Sequence, residues 1–489
     1  MLRARRLGAL PLALVLMLPA LAAAAPPPPE GRCPTPNAIP GAPPETDSGG
    51  LRLQPGDVIH VENLLAVQNL LPPELWSFRD VFFFEGMRLE VGWCHRRYPT
   101  APFYAGATSA FAGRPRLDAN GNLLDYVAGL PFPPETIDPA APDAGLRWAW
   151  NFEQRYRGAG PIGRFRLLDL PDPRIGSPHT YLGDFFVIRT GHRSDLAASE
   201  YRVPESTKTT WVAGGRFLEP TDARGLAWRQ LRPRGVETDW TKPDDTFVYI
   251  PELRKPRRAA SSWVDGVFTP QYRVAGQNDG GLVPFARGNS QYAPDFTLLP
   301  TNAGKSIAAT EDIRRGFVGL ALRPNAYTWT VLGEREVLAP LNATEPGWPG
   351  NAERNFGPWG LSVASDRWDV RWAVVLHGEA RREVEGVAAV TLWLDWQTQQ
   401  PLYFMTYKKN GFGVDVGILV HRFSGDTALY PAWPSGEPAN VFDPVAASFY
   451  FVPGGGSGWR RESYDVRSLP LEPDELRKLT STDALEHGH

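Results

Sequence analysis

The side chains that usually carry out catalysis form no recognisable pattern in this chain. There is no G-x-S-x-G nucleophile elbow, no H-E-x-x-H zinc motif, no phosphate-binding loop and no C-x-x-C pair. The histidines stand singly, apart from His487 and His489 in an expected unstructured tail. Acidic residues are numerous, but sequence order nominates no pair of them for glycoside hydrolysis. We therefore expect no catalytic residue, no metal site and no cofactor.

Two segments match cofactor or metal motifs but lie in the wrong context. Gly158–Gly163 reads G-x-G-x-x-G, yet it follows a predicted helix, whereas the dinucleotide motif lies between a strand and a helix. We interpret it as a helix end. Asp118–Asn122 has the oxygen spacing of a calcium loop, but Leu123 and Gly129 stand where that loop requires Gly and Glu. Its central Asn120-Gly121 predicts a hairpin turn instead.

Four cations follow a strand-like aromatic segment. Phe247–Pro251 leads directly into Arg254, Lys255, Arg257 and Arg258. Clustered cations bind phosphate and carboxylate groups, and arginine does so with two parallel hydrogen bonds. The cluster has two interpretations: a site for the polar headgroup of a ligand, or the solvated end of a strand.

Aromatic side chains are dense on the predicted strands of the second half. Because alternate residues of a strand share a face, neighbouring strands of this kind can line an apolar cavity. The alternative is ordinary sheet core. The candidate ligand-binding aromatic residues are Trp150, Trp329, Trp368, Trp372, Trp393 and Phe404.

The N-terminus has the three parts of a secretory signal peptide. Arg3, Arg5 and Arg6 precede the uncharged stretch Leu7–Leu21, and small residues then permit cleavage after Ala24. The apolar stretch is shorter than the ~20 residues that span a bilayer. We therefore expect residues 1–24 to be removed and the mature protein to work in the periplasm. The residues before Cys33 lack a lipidation motif.

Composition narrows the partners and the covalent chemistry. The chain has 48 glycines, 49 prolines, two cysteines and a formal charge of −3, which loss of the signal arginines makes more negative. It has no long basic run, so nucleic acid is not an expected partner. In an exported chain, Cys33 and Cys94 are expected to form a disulfide. Two free thiols are the alternative.

Periodicity divides the chain into a tether and a single large domain. Residues 25–50 are rich in proline and glycine and predict an extended tether, pinned at Cys33. Residues 51–489 form the domain, with insertions near 276–310 and 340–358 outside its sheet. Helical spacing predicts helices over 61–71, 74–84, 143–156 and 470–485, with Asp143 capping the third.

A strand is predicted at Met87–Trp93, and from Phe165 to Phe451 short alternating segments separated by turns predict a meandering antiparallel sheet. The clearest of the later strands are Tyr181–Thr190, Thr209–Val212, Thr246–Ile250, Tyr327–Leu332, Trp368–His377, Ala388–Trp396, Leu402–Lys408 and Asp415–Phe423.

Taken together, the segments resemble the bacterial domain-of-unknown-function family 1329, whose members are often labelled outer-membrane lipoprotein-sorting proteins. Each motif is soft alone, but their order covers nearly the whole mature chain. The matching stretches are Val61–Asn63, Leu70–Pro73, Gly129–Pro133, Ala149–Phe152, Tyr156–Gly158, Phe247–Arg258, Gly316–Gly319, Tyr327–Trp329, Gly333–Glu334, Arg367–Val370, Leu392–Asp395 and Leu402–Tyr407.

The resemblance implies an α+β fold, mainly β, like that of the periplasmic lipoprotein carriers LolA and LolB. In such a fold a large curved antiparallel sheet forms an open half-barrel covered by helices, and its concave apolar side receives acyl chains. The family supplies no catalytic residues. This chain is about twice the size of a compact carrier, and its insertions could close or occupy the cavity.

These observations predict a periplasmic, non-catalytic protein that binds or shuttles a lipid or another hydrophobic molecule, in the context of outer-membrane biogenesis. Arg254, Lys255, Arg257 and Arg258 would lie near the headgroup. A second hypothesis is a structural or assembly protein that docks on an outer-membrane or transport-system partner. A third is a secreted hydrolase, which would require two carboxylates about 5–10 Å apart in an open cleft.

Overall fold

The computed structural model describes residues 26–37, 51–170, 179–196, 201–203, 208–251, 254–258, 271–274, 305–308, 321–344, 356–357, 360–384, 387–411, 413–451 and 458–487. The predicted signal peptide, residues 38–50 of the predicted tether and most of both predicted insertions lie outside these ranges.

Strands dominate the described part of the chain. In chain order they are β1 (Val58–Ile59), β2 (Leu89–Cys94), β3 (Arg116–Leu117), β4 (Leu123–Leu124), β5 (Ile162–Leu170), β6 (His179–Arg189), β7 (Thr209–Glu219), β8 (Ala227–Pro233), β9 (Asp245–Ile250), β10 (Lys255–Arg258), β11 (Gln271–Val274), β12 (Lys305–Ala308), β13 (Tyr327–Ala339), β14 (Arg367–Val384), β15 (Val387–Asp395), β16 (Pro401–Tyr407), β17 (Gly413–Phe423), β18 (Phe442–Phe451) and β19 (Trp459–Arg467).

The described helices are few and short. The α-helices are α1 (Pro73–Ser77), α2 (Arg79–Phe82), α3 (Pro102–Ala110), α4 (Ala144–Gln154) and α5 (Pro473–Thr480). The 3-10 helices are Val61–Leu70, Pro134–Thr136, Thr221–Ala223, Pro324–Ala326, Ser424–Asp426 and Asp483–His487. Within the described residues, none of these helices is long and apolar enough to cross a membrane.

Fifteen of the described strands form one sheet. Its order is β1-β2-β14-β15-β16-β17-β18-β19-β5-β6-β7-β8-β9-β10, and β13 also pairs with β14. Every ladder is antiparallel except the parallel pairing of β2 with β14. The first and last strands of this order do not pair, so the sheet is open within the described residues. The predicted mainly β fold with a large open antiparallel sheet is confirmed.

The N-terminal and C-terminal halves of the sheet join at one ladder. β19 pairs with β5 from Trp459↔Leu170 to Arg467↔Ile162, although almost 300 residues separate the two strands in the chain. The sequence patterns did not predict a strand at Trp459–Arg467. Its cations and acids (WRRESYDVR) disguise the alternation, yet Arg460, Arg461 and Glu462 are all buried in the sheet.

Helix α4 agrees with the prediction over 143–156, except at its start. Asp143 precedes the helix, but its carboxylate accepts hydrogen bonds from the Arg147 side chain at 2.7 and 2.9 Å rather than capping a backbone N–H. The predicted cap is therefore wrong. Gly145 lets the helix approach β13 closely, because a Cβ there would lie 2.9 Å from the backbone carbonyl of Trp329. The Gly158–Gly163 segment follows the helix and enters β5, as expected for a helix end.

Both faces of the C-terminal half of the sheet carry packed apolar side chains. We call the side on which α4 packs the helix face; it includes Val374, Leu376 and Phe449. We call the opposite side of the sheet the N-terminal face, because N-terminal helices pack on it. It carries alternate residues of the same strands, such as Val375 and Ile418. It packs against the first 3-10 helix, α1 and α2. Each strand is thus apolar on both sides, unlike a sheet with one solvated face.

Part of the predicted tether is bound along the edge of the domain. Cys33 and Cys94 form the expected disulfide, which attaches residues 26–37 to the end of β2. The Gly31 N–H donates to the Cys94 carbonyl at 2.9 Å, and the Asn37 N–H donates to the Ala66 carbonyl at 2.8 Å. These contacts hold this stretch on both sides of the disulfide.

The hairpin predicted at 118–122 joins β3 and β4, and the Asp118 carboxylate accepts the N–H groups of Asn120 and Asn122 at 2.8 and 2.9 Å. Of the first predicted insertion, Lys305–Ala308 pairs with β11 in a separate two-stranded sheet. At the start of the second, Leu341 and Ala343 are buried in the core.

Removing the disulfide is expected to destabilise the protein. The bond closes a separation of 61 residues, so in the chain-entropy model its loss lowers the free energy of unfolding by about 4 kcal/mol. The measurement is urea unfolding of the Cys33→Ser/Cys94→Ser variant beside the oxidised parent. A reductant should destabilise the parent and leave the variant unchanged. Equal stability of parent and variant would contradict the prediction.

Candidate functional site

The predicted aromatic residues do not form one cluster. Trp150, Trp329 and Phe404 pack on the helix face, and Trp368 and Trp393 pack on the opposite, N-terminal face. All five are at most 5 % exposed. The sheet separates the two groups because neighbouring residues of a strand, such as Trp393 and Leu394, point to opposite sides.

Trp372 belongs to neither group. It is half-buried, and its indole N–H donates to the Glu334 carboxylate at 3.1 Å. Its role as a ligand-binding residue, like that of the other five, stays a prediction.

The predicted cations lie at the edge of the sheet. Arg254 and Lys255 are exposed, and Arg258 forms an ion pair with Asp245 across the β9–β10 ladder. Arg257 aligns with Val248 in the same ladder, but its side chain lies outside the described part of the structure. Three of the four cations thus belong to β10, the last strand of the sheet, and Arg254 directly precedes it.

A second aromatic cluster, which the sequence patterns missed, lies on the N-terminal half of the sheet. We call it the aromatic patch; it consists of Phe165, Phe185, Phe217, Trp228 and Tyr464. Neighbouring ring centroids are 5.5–6.3 Å apart, and Phe165 meets its neighbours within the patch edge to face. Such offset contacts between rings are attractive beyond the area that they bury.

Strand register shows that the patch belongs to the helix face. Residues aligned across an antiparallel ladder share a face. Phe165 aligns with Tyr464, two positions from Glu462, and Glu462 aligns with Ala447 of the helix-face core. The aromatic patch therefore lies on the same face as the surface on which α4 packs, but farther along the sheet.

Two glycines make room for the rings. A Cβ on Gly183 would lie 2.4 Å from the Phe165 ring, and one on Gly215 would lie 2.6 Å from the Trp228 ring. Each ring therefore lies directly over the backbone of an adjacent strand. The sequence did contain a signal of this patch: glycine alternates with aromatic residues in β6 and β7. Phe217 was missed because the predicted strand stopped at Val212, seven residues before the end of β7.

Buried arginines lie at one end of the strands that carry the patch. Arg189 and Arg232 both align with Trp211 of β7, and the Arg232 guanidinium lies 4.4 Å from the centroid of that ring. Arg232 and Arg323 share the carboxylate of Asp244, at 3.0 and 2.6 Å. Each arginine is at most 5 % exposed. A buried charge of this kind is tolerated only with such partners.

The end of α4 supplies the partners of Arg189. The Arg189 guanidinium donates to the Glu153 carbonyl at 2.8 Å and to the side-chain oxygen of Gln154. Arg157 donates to the same Glu153 carbonyl, also at 2.8 Å. Burial, opposed by Glu153 but reinforced by Arg189, lowers the pKa of Arg157 to about 10. The group therefore keeps its charge at neutral pH.

A small polar pocket lies among these groups. Trp150, Gln154, Arg232, Glu237 and Asn325 are among the residues that line it, and its volume is about that of one water molecule. Trp150 is thus the one predicted ligand-binding aromatic residue that borders this pocket. Among the described residues, no group of three or more His, Cys, Asp or Glu side chains could hold a metal ion.

Glu237 is an ionised carboxylate that lines this pocket. Burial alone would raise its pKa, but His192, whose imidazole lies 3.7 Å away, and the Thr210 hydroxyl, which donates at 3.2 Å, favour the charged form. The Gly235 N–H also donates to it, at 3.1 Å. His192, the backbone N–H of Glu237 itself and Thr210 together lower the pKa of Glu237 to about 2.

Comparison with known families agrees with the sequence motifs. Residues 58–277 match the model of the family DUF1329, described as a protein of unknown function. Over these residues the resemblance drawn from the motifs is confirmed. Among curated proteins, none matches this chain.

Three solved structures are similar to the chain. A candidate outer membrane lipoprotein-sorting protein domain from Vibrio parahaemolyticus is 14 % identical over 71 % of this chain and 100 % of its own, with a TM-score of 0.37. A DUF1329 family protein from Desulfovibrio piger is 13 % identical over 70 % and 98 %, with a TM-score of 0.39. A LolA superfamily protein from Nitrosomonas europaea is 12 % identical over 71 % and 99 %, with a TM-score of 0.33. Similarity at this level says nothing of ligands or sites.

Replacing Glu237 with glutamine should lower stability at neutral pH by about 2–3 kcal/mol and flatten its dependence on acid. As the pH falls, the unfolded chain takes up the proton first. The contribution of Glu237 is therefore complete above about pH 4.5 and lost towards about pH 2. Urea unfolding between pH 3 and pH 7 measures this. The exposed Glu62→Gln variant is the control, and parallel curves for parent and Glu237→Gln would contradict the assignment.

Proposed function

From the DUF1329 match over residues 58–277 and the aromatic patch, we propose that this protein is a non-catalytic binding protein for a hydrophobic or amphipathic molecule, such as a lipid, outside the cytoplasm. The observation that carries the proposal is the aromatic patch itself. Five large rings lie together on one face of an open sheet, beyond the strands that α4 covers.

The surroundings of the patch suit an amphipathic ligand. Apolar chains gain free energy from contact with aromatic rings at roughly 25 cal/mol per Å² of buried surface. Arg189 and Arg232 lie at one end of the strands that carry the patch, and Lys255 stands on the edge strand next to β9. A ligand with an apolar body and an anionic end would find both kinds of contact on the same face.

Ligand entry requires movement, because the five side chains of the patch are at most 7 % exposed. Association that requires a conformational change is slower than typical protein association, whose rate constants are roughly 10⁵–10⁷ M⁻¹s⁻¹. We therefore propose a binding site that opens to receive its ligand.

The site of action that we propose is the periplasm. The N-terminal sequence pattern of a signal peptide supports this location. The disulfide between Cys33 and Cys94 supports it as well, since such bonds persist in oxidising compartments. We propose further that the protein acts in outer-membrane biogenesis.

The direct test is native mass spectrometry of protein released gently from a bacterial periplasm. We expect an adduct with the mass of a lipid or another apolar molecule, and the same molecule should appear in an organic extract. A protein that carries no adduct, and that takes up no apolar fluorescent probe such as a naphthylamine dye, would refute the proposal.

The patch is tested by a matched pair of variants. Phe217→Leu removes a ring from the aromatic patch, whereas Phe404→Leu removes one from the helix-face core farther along the sheet. We expect Phe217→Leu to weaken probe binding about 2- to 10-fold, the range for the loss of aromatic contacts. Phe404→Leu should leave it unchanged. Thermal unfolding of both variants controls for stability, and equal effects on binding would place the ligand elsewhere.

A further inference from the structure

Strand β13 has an edge that pairs with nothing in the described part of the protein. Its ladder with β14 runs from Tyr327↔Ala380 to Ala339↔Asp369. Among the described residues, the backbone groups of Thr328–Glu336 make no hydrogen bonds outside that ladder. Edge strands with unpaired N–H and C=O groups are templates for the addition of another strand.

The middle of this edge is open to solvent. Thr328, Thr330 and Gly333 are exposed, and Leu332 is 42 % exposed although it is a large apolar residue. Proteins usually protect such edges with proline or lysine, and Tyr327–Ala339 contains neither. A bulge between Val331 and Gly333 is present and divides the strand into two regular stretches.

The second stretch, after the bulge, carries acidic side chains and has aromatic side chains beside it. Glu334 and Glu336 are partly exposed and, two residues apart, share a face of the strand. The Trp372 indole N–H donates to Glu334, and Glu336 lies 2.9 Å from the His95 ring nitrogen. Trp93, which lies two residues before His95 on β2, a strand that pairs with β14, is 50 % exposed.

Neither Arg335 nor Arg96 pairs with this acidic stretch. Arg335 turns to the other face of the strand, where it stacks on Trp393 and donates to the Asn69 carbonyl at 2.8 Å. Arg96, which stacks on Trp93, forms an ion pair with Asp426 at 2.6 Å. Glu334 and Glu336 therefore present negative charge beside an open edge.

We propose that the β13 edge is a docking site for an extended, basic segment of a partner protein, which adds to the sheet as a further strand. The main chain of the segment would pair with Thr328–Glu336. Lysine or arginine side chains at alternate positions would meet Glu334 and Glu336, because alternate residues of the added strand share one face.

The test uses a synthetic ten-residue peptide of alternating lysine and valine, with fluorescence anisotropy as the readout. An otherwise identical peptide with glutamate in place of lysine is the negative probe. We expect saturable binding of the lysine peptide only. Hydrogen exchange with the peptide bound should show new protection of amides within Thr328–Glu336.

Two variants and one matched control locate the site. Leu332→Lys places a charge in the open edge and should reduce affinity at least about tenfold, since edge lysines block strand addition. Glu334→Gln should reduce it about 2- to 5-fold, the range for one cross-strand charge pair. Leu429→Lys makes the same substitution at a leucine that is 43 % exposed elsewhere and should have no effect.

The outcomes are distinct from those of ligand binding at the aromatic patch. Peptide binding that Leu332→Lys and Leu429→Lys leave equally strong would overturn the proposal, as would protection of amides outside β13. Sedimentation of the protein alone tests the other occupant: a dimer that Leu332→Lys dissociates would identify a second copy of this chain instead. Uptake of the apolar probe should be the same in all three variants.

Discussion

The ladder between β19 and β5 is the contact on which the rest of the architecture depends. It consists of registered pairs from Trp459↔Leu170 to Arg467↔Ile162 and joins the two halves of the sheet. Contacts between residues so far apart in sequence are costly in chain entropy and are repaid only by many simultaneous hydrogen bonds and apolar contacts. Without this ladder, β5–β10 and β14–β19 would be separate sheets, each with an additional open edge.

Joining the halves gives one continuous face two different roles. Over the C-terminal strands, α4 covers the helix face with Trp148 and Phe152. Over the N-terminal strands, the same face carries the aromatic patch. The end of α4 then brings Glu153 and Gln154 to Arg189, so the helix that closes one part of the face also fixes the polar boundary of the other.

The aromatic patch and the β13 edge lie far apart on the sheet. Six strand spacings separate β14 from β5, or about 30 Å at 4.8 Å for each spacing. Binding of a hydrophobic ligand at one and of a protein segment at the other can therefore occur together.

The sequence by itself determined the local and covalent features: the alternating strands, the hairpin at Asp118–Asn122, the helix before Gly158, the pairing of Cys33 with Cys94 and the family resemblance. Period-2 alternation and turn residues act over a few residues, and two cysteines allow one intramolecular pair. Only the tertiary structure decided which aromatic residues share a face. Trp393 and Phe404 look equivalent in sequence but lie on opposite sides of the sheet, whereas Phe165 and Tyr464, about 300 positions apart, meet. Strand order and register decide that, and no local pattern encodes them.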